Sequence, residues 1–164
     1  MSVARVLLYG LLALVGLVLL AARLGAFTGS PPNDLGVKEG RLKAPSLTPN
    51  SVSSQAALYV GHPQQSDAAI DPLPLKSAGA AASLESLSVL IKAMPGTTVV
   101  LQQPDYLYAQ SQTRWLKFVD DVEFWVNPER GVIEVRSASR LGRKDFGVNR
   151  QRVELIRAAY MASP

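Results

Sequence analysis

The segment Phe118–Asn127, FVDDVEFWVN, runs across Pro128-Glu129-Arg130-Gly131 into Val132–Arg157, VIEVRSASRLGRKDFGVNRQRVELIR, and the way these two pieces pair decides the fold. Both alternate and both are rich in β-branched residues, which predicts an antiparallel hairpin with a four-residue loop. With that loop, Asn127 opposes Val132, and Val126–Ile133, Phe124–Val135, Val122–Ser137 and Asp120–Ser139 follow on one face. The other face sets Trp125 against Glu134, Glu123 against Arg136 and Asp121 against Ala138, with Arg136 and Arg140 diagonal to Asp121. A slip of one residue would bring Phe124 opposite Glu134 and exchange the two faces, so the first register is the expected one.

This register predicts that the phenylalanine-bearing face is interior and the tryptophan-bearing face meets water. Asp120 shares the interior face and must there be paired, hydrogen-bonded or neutral. It is either an anchor accepting hydrogen bonds from Ser139 or a loop, or a general acid or base. Asp121, Glu123, Arg136 and Arg140 are expected to form an exposed ion-pair ladder. Such pairs contribute only about 0.2–1 kcal/mol each, so stability alone is a modest reason for the cluster. Its arginines could instead grip a carboxylate or phosphate in bidentate fashion. An exposed Glu123–Arg136 pair also predicts that reversing Glu123 is partly rescued by Arg136→Glu.

Upstream, Ser77 is the expected cap of a helix to Met94, with Leu84, Leu87, Leu90, Ile91 and Met94 on one stripe and Pro95-Gly96 as the stop. TTVVLQQ, a Pro104-Asp105 turn and YLYAQSQT then supply two strands before the hairpin. Downstream, Asn149 is the expected cap of a last helix whose Val153, Ile156 and Tyr160 share a face. The predicted class is α+β: a four-stranded antiparallel sheet in meander order, with two helices packed on one face. Residues 28–76, rich in Pro, Ser, Asn and Gly, read as an extended wrap or linker before an α+β domain at 77–164.

Residues 1–27 read as an N-terminal membrane anchor. Val6–Ala22 is an unbroken apolar run between Arg5 and Arg23, and its seventeen residues reach about 26 Å as a helix, near the lower limit for a hydrocarbon core of roughly 30 Å. A cleaved signal peptide is the rival, against which stand the length of the run and the lack of a clean A-x-A site. Arg5 and the terminal amine against Arg23 favour a cytoplasmic N-terminus, which makes the chain a single-pass membrane protein with an extracytoplasmic domain.

Composition removes several classes. The chain has 164 residues and no cysteine, so disulfides, iron–sulfur clusters, thiolate zinc and cysteine nucleophiles are excluded. A single histidine, His62, removes multi-histidine metal sites, and no metal or cofactor is expected. A formal charge of +4 does not call for a nucleic-acid partner. The excess sits in the C-terminal stretch, where Arg143, Lys144, Arg150 and Arg152 precede or open the last helix and suit anionic lipid head groups; the spacing is not that of a nucleotide loop. Ser53, His62 and Asp67 name a triad only on paper, because three common residue types without geometry specify nothing.

Several motifs together resemble one family, the domain of unknown function 1499: Pro32-Asn33-Asp34-Leu35-Gly36, Pro49-Asn50 with Val52-Ser53-Ser54, Met94-Pro95-Gly96, Asp105-Tyr106-Leu107, Phe118–Phe124, Arg136–Gly142 and Gly147-Val148-Asn149-Arg150. The resemblance covers nearly all of the chain after the anchor. It implies a membrane-associated or extracytoplasmic domain of unassigned activity and carries no catalytic residues over. Members often place a cysteine pair near the positions held here by Pro45 and Ser51, so a redox or crosslinking role of that pair would be closed to this chain.

The functional expectation is a membrane-anchored binding or structural module of the cell envelope that does no chemistry, with Glu123, Arg136, Arg140 and Arg150 as binding residues and an anionic lipid or envelope protein as partner. The alternative is an enzyme using Asp120 or Asp121 as acid or base, with Arg136 or Arg140 holding an anionic substrate.

Overall fold

The structure, a computed structural model, describes residues 2–163. In chain order its elements are α1 (Val3–Arg23), β1 (Ser51–Ser53), a 3-10 turn (Ala56–Leu58), β2 (Leu73–Pro74), α2 (Ala80–Ala93), β3 (Thr97–Gln102), β4 (Tyr106–Gln112), β5 (Val119–Asn127), β6 (Val132–Ser139) and α3 (Val148–Ala162). The β5–β6 hairpin has the expected register over its whole length, from Asp120 opposite Ser139 to Asn127 opposite Val132. Its loop is closed locally: Asn127 Oδ1 accepts the N–H groups of Glu129 and Arg130, and Gly131 takes the positive φ that the last loop position needs.

The sheet is wider than the four strands expected. β3 to β6 form the predicted meander, but β1 and β2, two short pieces of the wrap, both pair antiparallel with β6, giving six strands among the described residues. The physical reason is that a hairpin whose last strand carries alternating apolar groups leaves an unpaired edge, and Ser51–Ser53 satisfies it. The wrap is thus part of the sheet.

One face of the sheet packs on α2 and α3. Leu107, Ala109, Val122, Phe124, Val126, Ile133 and Val135 meet Leu84, Leu87 and Ile91 of α2 and Val153, Ile156 and Tyr160 of α3 in one buried core. Both helix stripes are those read from the three- and four-residue spacing, but both caps differ. Before α2 the cap is Gly79, at φ +94°, and not Ser77. Ser83 in the first turn does the polar work, donating to Gly79 O and accepting the Lys76 N–H. Before α3, Asp145 accepts the N–H groups of Gly147 and Asn149, so Asn149 lies inside the helix with its side chain buried.

The opposite face does not meet water, against expectation. Residues 34–50 cross it, turning back through a two-residue reversal at Glu39-Gly40, where both φ angles are positive and Lys38 and Arg41 exchange backbone hydrogen bonds. Leu42 from this stretch seals a second apolar cluster with Tyr106 and Trp125, which is only 7% exposed. Gln55 fixes the stretch in place, accepting the Leu42 N–H and donating to Gly40 O.

Helix α1 packs against almost nothing: it is apolar along its length, and only Ala22 near its end is buried. Its 21 residues give about 31 Å, long and apolar enough to cross a membrane.

At the end of α2, Gly96 sits at φ +73°, and a Cβ there would lie 2.6 Å from the carbonyl oxygen of Gln112. Gly96→Ala is therefore expected to cost more than about 1 kcal/mol, combining backbone strain with a clash against β4. Chemical denaturation of the two proteins in the same detergent measures it.

Candidate functional site

Every charged side chain on the wrap-covered face is engaged. Glu123 is fully buried; its Oε1 accepts the Gly36 N–H and the Tyr106 hydroxyl, both at 2.8 Å, and its Oε2 accepts from Arg136 Nη1 at 3.3 Å. Arg136 also donates through Nε to the Ala44 carbonyl. Asp121 takes both forks of Arg140, Nε at 2.9 Å and Nη2 at 2.7 Å, and the Tyr108 hydroxyl at 2.6 Å. Glu134 accepts from Arg130, Asn127 and Ser54. The pairings read from the sequence are present, but the ladder is interior rather than exposed, because the wrap supplies Gly36 and Ala44 as partners.

That burial changes the energetics. An exposed pair contributes a fraction of a kcal/mol, whereas removing one member of a buried pair strands an uncompensated charge and costs about 3–5 kcal/mol. It also perturbs the neighbouring phenols. Burial, reinforced by the carboxylates they face, pushes the Tyr106 and Tyr108 hydroxyls well above their ordinary range, so both act as donors at any physiological pH. The hydrogen bonds to Asp121 hold the Arg140 guanidinium firmly in its charged form.

Beside these pairs, between residues 30–47 and strands β5 and β6, lies a cleft of about 320 Å³. Lys43, Asp121, Arg136 and Arg140 line it, so three of the sequence-derived candidates share one wall. Its charges are matched within the fold: Lys43 pairs with Asp34 at 2.7 Å, Arg140 with Asp121 and Arg136 with Glu123.

The other candidates lie elsewhere. Asp120 is on the helix-covered side, as read, but its partner is Arg152 of α3 and not Ser139. Arg152 also donates to Ser137 and Asn149, and Asn149 is the centre of this second polar cluster. Its Oδ1 accepts from Ser137; its Nδ2 reaches the Asn50 carbonyl, Ser139 Oγ and Asp145. Arg150 donates through one nitrogen to the carbonyls of Asp67 and Ala69, both at 2.8 Å. Arg157 donates through Nη1 to the Pro72 carbonyl and through Nη2 to that of Asp71. These arginines of α3 bind the wrap.

Sequence reasoning missed Asn149, Arg152, Ser54 and Gln55 as structural centres. The available signal was the presence of two polar motifs, PNSVSS and GVNR, on segments nearly a hundred residues apart. His62 accepts only a local backbone N–H, from Gln64, and belongs to no triad. Among the described residues no group of three or more His, Asp or Glu is placed to hold a metal ion.

Two measurements test this description. Glu123→Arg should be severely destabilised, and Arg136→Glu should fail to rescue it, because the Gly36 N–H and Tyr106 hydroxyl would then face a cation and the Ala44 carbonyl a carboxylate; a double-mutant cycle by denaturation reads the coupling, and a substantial rescue would place the pair in solvent. The second concerns Asp145. Burial raises its pKa, but the hydrogen bonds from Asn149 and Gly147 outweigh this and hold it below the usual carboxylate range. A depressed pKa gives stability that is present above the unfolded value near 3.9 and lost as pH falls through the folded one. Asp145→Ala should therefore cost about 1 kcal/mol at neutral pH, and its gap from the parent protein should close below about pH 4.

No curated protein and no solved structure matches the chain. The sequence profile of one family does match, over residues 34–160, from the start of the wrap's crossing to the end of α3, and it takes in both polar clusters. The chain belongs to that family, described as proteins of unknown function, DUF1499.

Proposed function

We propose that the chain is a single-pass, membrane-anchored module of the cell envelope that does no chemistry of its own, its extracytoplasmic domain serving as a binding or structural unit. The observation that carries this reading is the occupancy of the two candidate acids. Asp121 accepts three hydrogen bonds, two of them from Arg140, and Asp120 is tied to Arg152. A general base needs a free lone pair aimed at a substrate atom, whereas Asp121 has both oxygens, and Asp120 one oxygen, turned to guanidinium groups of the fold. Glu123, Arg136 and Arg150 are then clasps that hold the wrap to the sheet and to α3, while Arg140 ties the end of β6 to Asp121 and Tyr108 within the sheet. The helix α1 supports the anchoring, and Arg5 with the amino terminus against Arg23 supports the orientation.

A second reading is favoured by one observation, the cleft that Lys43, Asp121, Arg136 and Arg140 share. If it took an anionic substrate, inorganic phosphate at matched ionic strength would raise the melting temperature of the full chain in detergent, and Arg136→Lys would abolish the rise. The proposed function predicts no phosphate-specific rise. It also predicts that a reporter fused to the C-terminus is active only outside the cytoplasm and stays with the membrane after alkaline washing; a cytoplasmic signal, or release as a cleaved soluble product, would overturn it.

A further inference from the structure

The end of α1 is tied to one particular end of the domain. Beyond Arg23 the chain makes compact turns through Gly25 and Thr28, so only a few residues separate the helix from its first contacts. Phe27 then packs against Phe118, the rings tilted with centres 5.5 Å apart, and Gly29 passes so close to Arg140 and Leu141 that an added Cβ would lie 2.8 Å from Arg140 Cβ. Two loops meet there: residues 113–118, between β4 and β5, and residues 141–147, between β6 and α3. They line a common, mostly apolar cleft of about 290 Å³.

These loops combine exposed aromatic side chains with cations. Phe146 is 93% exposed and Trp115 64%, and Leu141 is exposed beside them, although the domain has two apolar cores in which such side chains could have been buried. Interleaved with them are Arg114, Lys117, Arg143 and Lys144, none of which forms an ion pair among the described residues. Arg114 lies over the Trp115 ring, 5.1 Å from its centre. The one carboxylate in either loop, Asp145, is turned inward onto the N–H groups of α3. Exposed aromatic and aliphatic side chains ringed by unpaired cations suit the boundary between head groups and acyl chains, where aromatic rings settle and anionic lipids attract Lys and Arg.

We infer that the loops 113–118 and 141–147 form a membrane seat: Trp115, Leu141 and Phe146 enter the interface of the leaflet that α1 leaves, and Arg114, Lys117, Arg143 and Lys144 pair with anionic phospholipid head groups. The occupant follows from position, since the surface is continuous with the exit of the anchor, and from charge. The inference rests on α1 spanning the membrane, as proposed above. Its consequence is a domain held against the bilayer with its sheet in a fixed orientation, rather than one swinging on a leash.

The test uses the full chain in nanodiscs of phosphatidylcholine alone or mixed with phosphatidylglycerol, the chains brominated near the head group. Only Trp115 and Trp125 emit, and Trp125 lies beneath the wrap, so the difference between the parent and Trp115→Phe reports Trp115 alone. Bromination should quench Trp115 roughly by half in the anionic discs and clearly less in the zwitterionic ones. Arg143→Glu combined with Lys144→Glu should relieve the quenching without moving the melting temperature, because both side chains are exposed. Equal quenching in the two lipids would overturn the choice of anionic head groups. A chain that co-elutes with the discs but leaves Trp115 unquenched would overturn the seat and leave the anchor standing; a chain that does not co-elute at all would overturn both.

Discussion

The antiparallel pairing of β5 with β6 governs this molecule because it sorts two chemically different sets of side chains to opposite sides and both sides are then covered. Phe124 opposite Val135 feeds an apolar core under α2 and α3, while Glu123 opposite Arg136 feeds a polar core under the wrap. A one-residue slip would drive the acids into the helices and the phenylalanine against Gly36 and Ala44, stranding charge in one layer and apolar surface in the other. Few hairpins are so tightly specified, since most have one tolerant face turned to solvent.

The second layer accounts for three arginines of α3, Arg150, Arg152 and Arg157. Arg150 and Arg157 reach backbone carbonyls at 67–72, Arg152 reaches Asp120, and Asn149 joins α3 to Asn50 and Ser139. A proline- and serine-rich segment lacks the periodic apolar residues that would bury it by hydrophobic contact alone. It is held instead by donors that fit irregular backbone carbonyls, a task for which the guanidinium fork is well shaped.

Much of the fold was legible in the sequence because it is written in local periodicity. The register of β5 and β6, the meander from β3 to β6 and the apolar stripes of α2 and α3 all follow from spacing. The covering of the outer face was not legible from alternation, which looks the same whether polar side chains meet water or a polar lining. The readable hint lay in Tyr106, Tyr108 and Trp125, three aromatics on the side assigned to solvent, and Leu42 is what covers them. The caps were misread for a related reason: Asn149 looks like a helix start in isolation, but Asp145 serves that end and frees the amide for the core. Of the candidate residues, Asp121, Arg136 and Arg140 do come together, whereas Asp120 and Arg150 belong to contacts whose partners lie far away in sequence.

Because α3 clasps residues 50 and 67–72, a stretch made early in the chain is secured by one made later. Residues 67–72 leave the ribosome some eighty residues ahead of Arg150 and Arg157, whose guanidinium groups take their carbonyls. Until α3 arrives, those carbonyls lack their donors and the apolar face of β5 and β6 lacks Val153, Ile156 and Tyr160, whereas the pairing of β1 with β6 and the cover over Trp125 use only residues that precede the helix. A truncation that removed α3 would therefore loosen residues 67–72 and open the apolar core, while leaving Glu123 and Arg136 with their partners in residues 34–50.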